Sequence, residues 1–121
     1  MSDIHKEDRS DRLSVQAGRV NGVLVVTVRG EIDHDVKDVL SEALLPPDGT
    51  ASPRIVVDLG GVTFMDSSGI NVFVAAHRRV SGVQGWLRIA GAQEAVVRLL
   101  RVVGIDELIP CHPDVEQALN A

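Results

Sequence analysis

Apolar residues along this chain switch between strand-like alternation and helical recurrence, and each switch marks an element. Leu13, Val15 and Ala17 alternate with polar neighbours, which predicts a half-buried strand. Asn21-Gly22 follows; both residues tolerate positive φ, so the pair predicts a two-residue hairpin turn. Val23 to Val28 is nearly all apolar and reads as a second, central strand, closed by Gly30-Glu31-Ile32-Asp33. Val36, Val39, Leu40, Ala43 and Leu44 then recur at helical spacing and predict a core-facing stripe. Asp33 or Asp35 is placed to cap that helix, and Pro46-Pro47 stops it. After a turn-rich stretch from Asp48 to Pro53, Ile55 to Leu59 reads as a buried strand. Gly60-Gly61 is expected to be a tight turn behind it, and a helix runs from Ser67 to about Val80.

The pattern then repeats in kind though not in sequence. Trp86 to Ala90 predicts a strand, and Gln93 to Val103 a helix with Val96, Leu99, Leu100 and Val103 turned inward. Gly104 is expected to end it as a C′ residue. Asp106 to Ile109 reads as a short strand and Asp114 to Leu119 as a last helix. Alternating strands and helices predict a single α/β domain. Its sheet is mixed, because the hairpin is antiparallel and each β-α-β crossover is parallel. The helical stripes place the helices mainly on one face.

Composition narrows the function classes. Hydrophobic residues make up 45% of the 121 residues and aromatic ones 2%, so the core is aliphatic and base-stacking surfaces are not expected. The formal charge of −5, without a lysine or arginine cluster, argues against nucleic acid or an anionic membrane as direct partner. One cysteine, Cys111, supports neither a disulfide scaffold nor a thiolate metal site. No apolar run approaches the ~20 residues that cross a bilayer. Residues 1–11 lack the apolar segment of a signal peptide and are expected to form a flexible tail, with the domain at 12–121. The cytoplasm is the expected compartment and a monomer the expected state.

Chemistry concentrates in Asp66-Ser67-Ser68-Gly69, where small oxygen-bearing side chains open a helix. Asp and Ser are preferred N-caps, so one reading is a capped helix and nothing more. The other reading is phosphorylation at Ser67. A phosphate adds roughly −1.5 to −2 charges, and at a helix N-terminus it meets free N–H groups and the positive end of the dipole. The fold therefore tolerates it, whereas a partner surface built for a neutral hydroxyl does not. A serine nucleophile is less well supported: the Gly-x-Ser-x-Gly elbow is absent, and His34 and His77 are the only histidines in predicted elements that could act as base. Gly60-Gly61 belongs to no phosphate-binding fingerprint, so no nucleotide or other cofactor is expected. Glu31, Asp33, His34 and Asp35 read as a solvated strand-to-helix turn rather than a metal site, and as an acidic contact surface for a basic partner. Nothing around Cys111 in the sequence marks it as reactive.

Taken together, these residues resemble the STAS domain, and within it the bacterial anti-sigma factor antagonists. The likeness is carried by Gly30-Glu31-Ile32-Asp33, by Val57-Asp58-Leu59 with Val62-Thr63-Phe64-Met65-Asp66-Ser67-Ser68-Gly69, and by Ala95-Val96-Val97-Arg98-Leu99-Leu100 with Gly104-Ile105. It covers roughly residues 12–120. The resemblance implies a mixed sheet with helices on one side and a regulatory, non-enzymatic role. In that role the unphosphorylated antagonist binds an anti-sigma factor that is also a serine/threonine kinase, and so frees the sigma factor. Phosphorylation releases the antagonist and a serine phosphatase resets it. The resemblance implies Ser67 as acceptor, with Asp33, Asp66, Ser68, Gly69 and Asn71 in the partner-binding surface. The chain departs from the family pattern at Asn71, where a small residue is common, and at Val36-Lys37-Asp38, where Thr or Ala is common. An unphosphorylated STAS scaffold, or a subunit of a larger complex, is the alternative.

Overall fold

The computed structural model describes residues 13–121. One five-stranded sheet runs in the order β1-β2-β3-β4-β5. The strands are β1 (Leu13–Val20), β2 (Val23–Ile32), β3 (Arg54–Met65), β4 (Trp86–Ala90) and β5 (Cys111–His112). β1 pairs antiparallel with β2, and all later pairs are parallel. The hairpin turns at Asn21 and Gly22, with φ of 51° and 80°, which is why this pair stands there. Four α-helices join the sheet: α1 (Lys37–Ala43), α2 (Ser67–Ser81), α3 (Glu94–Val102) and α4 (Val115–Asn120). The flexible tail expected at 1–11 lies outside the described residues. Among the described residues, no helix is long and apolar enough to cross a membrane.

The helices pack mainly on one face, as the stripes predict. Val26, Val28, Ile55, Val57, Leu59, Leu87 and Ile89 point from the sheet into the main core. There they meet Leu40 and Leu44 from the α1 segment, Phe73, Ala76 and Val80 from α2, and Val96 and Leu100 from α3. Only α4 lies on the opposite face, where Ala118 closes over Val23, Val56 and Ala90. Arg88 stacks on Trp86, 3.6 Å from the ring centroid, and donates from Nη1 to the Ala118 carbonyl at 2.8 Å. A guanidinium on the last carbonyls of a short helix also complements its dipole.

β3 departs most from the sequence expectation. Gly60-Gly61 is not a turn: the strand continues through both glycines for 12 residues. Two bulges in β3 account for this. The register shifts once between Thr27 and Arg29 of β2, where Val28 faces both Leu59 and Gly60, and again between Gly30 and Glu31, where Thr63 is the extra residue. The groups displaced by the bulges are bonded. Gly60 N donates to Asp58 Oδ1 at 2.9 Å, Gln93 Nε2 donates to the Gly60 carbonyl at 2.9 Å, and the Thr63 hydroxyl donates to the Gly30 carbonyl at 3.4 Å. The β3 positions that face the main core are accordingly Ile55, Val57, Leu59, Val62 and Met65, spaced by two and then by three.

Other elements shift for local reasons. Asp106–Ile109 is not a strand. Ile105 and Ile109 are both buried and four apart, and Ile109 N donates to the Ile105 carbonyl at 2.7 Å, so the segment coils as a 3-10 turn (Ile105–Glu107) and β5 forms further on. Val39 is 42% exposed, because a 3-10 turn at His34–Val36 precedes α1 and the buried stripe becomes Val36, Leu40 and Leu44. Val103 is 48% exposed because α3 ends at Val102, before Gly104 at φ 79°.

Candidate functional site

The parallel pairing of β2 with β3 brings two strand-to-helix turns together. The last register pairs are Glu31 with Phe64 and Ile32 with Met65, so the chains leave the sheet side by side at Asp33 and Asp66. Asp66 N donates to the Ile32 carbonyl at 3.1 Å and ties the two exits. Each Asp has extended backbone and folds its carboxylate forward: Asp33 Oδ1 accepts from Asp35 N at 3.0 Å, and Asp66 Oδ1 accepts from Ser68 N at 2.8 Å. Asp33 caps the 3-10 turn, whereas α1 itself starts from Val36 without a side-chain cap. Neither Asp33 nor Asp35 therefore caps α1 directly.

Asp66 caps α2, a 15-residue helix. Ser67 is its first residue and is exposed; Ser68 is half-buried by comparison. Gly69 is buried, and a Cβ there would stand 2.6 Å from Met65 Cγ and 2.9 Å from Ile32 Cγ2. The bare backbone lets the first turn settle against the ends of both strands. Arg78 and Arg79 occupy the last turn, so the charges of α2 agree with its dipole. The start of α2 carries no acidic residue within its first turn, and Asp66 takes the N–H groups of Ser68 and Gly69, through its carboxylate and its carbonyl.

Between α1 and α2 runs an open groove of about 410 Å³. His34, Lys37, Asp38 and Ser41 form one wall; Ser68 and Asn71 are on the other. All six residues named from the sequence, Asp33, Asp66, Ser67, Ser68, Gly69 and Asn71, thus gather at the carboxyl ends of β2 and β3. Lys37 and Ser41 join the site only through the fold, which places α1 beside α2. Phe64 is 49% exposed at the same end, and its place within the motif was the only signal for it.

The histidines stand apart from the exposed serine. His77 lies ten residues along α2 from Ser67, on the order of 15 Å away. It is half-buried, with Nδ1 enclosed and without a hydrogen-bond partner among the described residues. Among the described residues, no hydrogen bond joins His34 to either serine. Burial raises the Cys111 thiol, and the Asp106 carboxylate raises it further, so the thiol stays protonated. No group of three or more His, Cys, Asp or Glu side chains among the described residues gathers in a metal-holding arrangement.

Against this geometry stand four likenesses. A family model described as STAS domain matches residues 14–118. The Mycobacterium tuberculosis protein named anti-sigma-F factor antagonist RsfA is 30% identical over 118 residues, spanning 93% of this chain and 89% of its own. The Bacillus subtilis protein named anti-sigma-B factor antagonist is 35% identical over 85 residues, spanning 69% and 76%. The crystal structure of an anti-sigma factor antagonist from Mycobacterium paratuberculosis superposes with a TM-score of 0.80 at 28% identity, over 91% of this chain and 93% of that one.

Proposed function

This chain belongs to the STAS domain family, and on that premise we propose that it is an anti-sigma factor antagonist switched by phosphorylation at Ser67. Its unphosphorylated form binds an anti-sigma factor that is a serine kinase, and this binding frees the sigma factor. Phosphorylation by the same kinase ejects it, and a serine phosphatase restores it. The protein acts in the cytoplasm, without enzymatic activity of its own and without nucleic acid or membrane as partner. Relatives that carry the name of antagonist support the role.

The observation that carries the switch is the exposed Ser67 as first residue of a capped 15-residue helix. A dianion there is received by the positive end of the helix dipole, moderated by Asp66 beside it. A partner packed on the neutral hydroxyl must instead desolvate that charge. A penalty of about 2.7 kcal/mol already weakens binding a hundredfold, and an unpaired buried charge exceeds it. Folding survives while docking is lost. Incubation with ATP and the cognate anti-sigma kinase is expected to add one phosphate, which peptide mapping places on Ser67. Ser67→Ala is expected to bind the kinase and to stay bound when ATP is added. Protein from its native host that never carries phosphate at Ser67 in any growth phase would overturn the reading.

A further inference from the structure

We propose that Phe64 is the anchor of this surface, and that it seats in an apolar pocket of the anti-sigma partner rimmed by basic side chains. The inference rests on the reading above and adds to it the residue and the chemistry of the contact. The chain has two phenylalanines, one tryptophan and no tyrosine. Phe73 is fully enclosed in the core, and Trp86 lies half-covered under Arg88. Phe64 alone of the three is left half in solvent, at 49%. Aromatic side chains, phenylalanine among them, are enriched at the cores of protein interfaces relative to the rest of the surface.

Backbone geometry directs Phe64 there. The second bulge of β3 makes Thr63 the extra residue, so Met65 turns into the core beside Ile32 and Phe64 turns to the opposite face beside Glu31. The Thr63 hydroxyl, bonded to the Gly30 carbonyl, holds the bulge. The ring is thus presented from paired strand rather than from a loose loop, and ordering it on binding costs little. Phe64 is three residues from Ser67, so their Cα atoms lie within about 10 Å. One partner surface reaches both.

Charge selects the partner's chemistry. Glu31 is the register neighbour of Phe64, and Asp66 follows two residues later. A pocket ringed by lysine or arginine complements this edge, whereas an acidic rim is repelled. The two residues then divide the labour. Phe64 sets how long the complex lasts, and Ser67 sets whether it forms.

The test uses whichever purified anti-sigma factor of the native host binds the parent protein. Phe64→Ala is expected to weaken binding by about thirtyfold or more, mostly through a faster off-rate, with an unchanged melting midpoint. Phe64→Leu is expected to stay within a few-fold. A second measurement needs no substitution: 4-fluorophenylalanine labelling gives two fluorine resonances, and titration with the anti-sigma factor is expected to shift and desolvate that of Phe64 while Phe73 stays still. Phe64→Ala that melts and binds like the parent overturns the anchor and leaves the proposed function standing. An unmoved Phe64 resonance in a saturated complex does the same. A parent protein that binds none of the host's anti-sigma factors overturns the function and the anchor together.

Discussion

Two turns stand side by side at the carboxyl end of the sheet, one opened by Asp33 and the other by Asp66. Both aspartates have extended backbone and accept from the N–H two residues ahead, at 3.0 and 2.8 Å. Position by position, His34 corresponds to Ser67, Asp35 to Ser68 and Val36 to Gly69. The outcomes differ. Val36 is 1% exposed and fills the core, and the chain makes a 3-10 turn before a seven-residue helix. Gly69 has no room for a Cβ, and the chain passes directly into a 15-residue helix. The same cap therefore does not make the same site. What distinguishes the second turn is a hydroxyl at the head of a long helix, held close to the sheet by an absent side chain.

The strongest way to break this comparison is to charge each turn in the same manner. Ser67→Asp is expected to weaken binding to the anti-sigma factor about a hundredfold, whereas His34→Asp changes it only a few-fold; titration calorimetry checks both. Equal losses would mean that general acidity, rather than position, controls docking. Core packing gives the next contrast. Gly69→Ala is expected to destabilise by about 1–3 kcal/mol through crowding against Met65 and Ile32. Val36→Ala is expected to cost about 2 kcal/mol for the opposite reason, a cavity. Denaturant melts measure both, and a better-packed Gly69→Ala would remove the close-approach argument. The smallest contrast lies in the caps: Asp66→Ala is expected to cost about 1 kcal/mol and Asp33→Ala about half of that, since Asp33 caps only a short turn.

Much of this was legible before folding. Asn21-Gly22 declared the hairpin, because positive φ at both residues leaves few other uses for the pair. The stripes of α1 and α3 declared their faces apart from Val39 and Val103, and Asp66-Ser67-Ser68 declared a helix start. The bulges of β3 were not legible. Two adjacent glycines have the composition of a turn, and a bulge breaks the alternation by which a strand is recognised, so Val62 and Met65 fell out of phase with Ile55 and Val57. The two-residue β5 is too short to carry any period. In the site itself, Asp66 to Gly69 could be read as local chemistry. The nearness of Asp33 and Lys37 could not be read from local chemistry, because it arises from parallel register between segments some thirty residues apart.

The paired bulges have a further consequence for how this strand can vary in length. At each bulge β3 uses one residue more than β2, and the pairing beyond it resumes with Glu31 beside Phe64 and Ile32 beside Met65. A residue lost at Gly60 or Thr63 would therefore leave Met65 facing inward and straighten the strand locally, because the partner strand keeps its own alternation. The bulges thus act as slack that separates the length of this strand from the placing of α2 at its end.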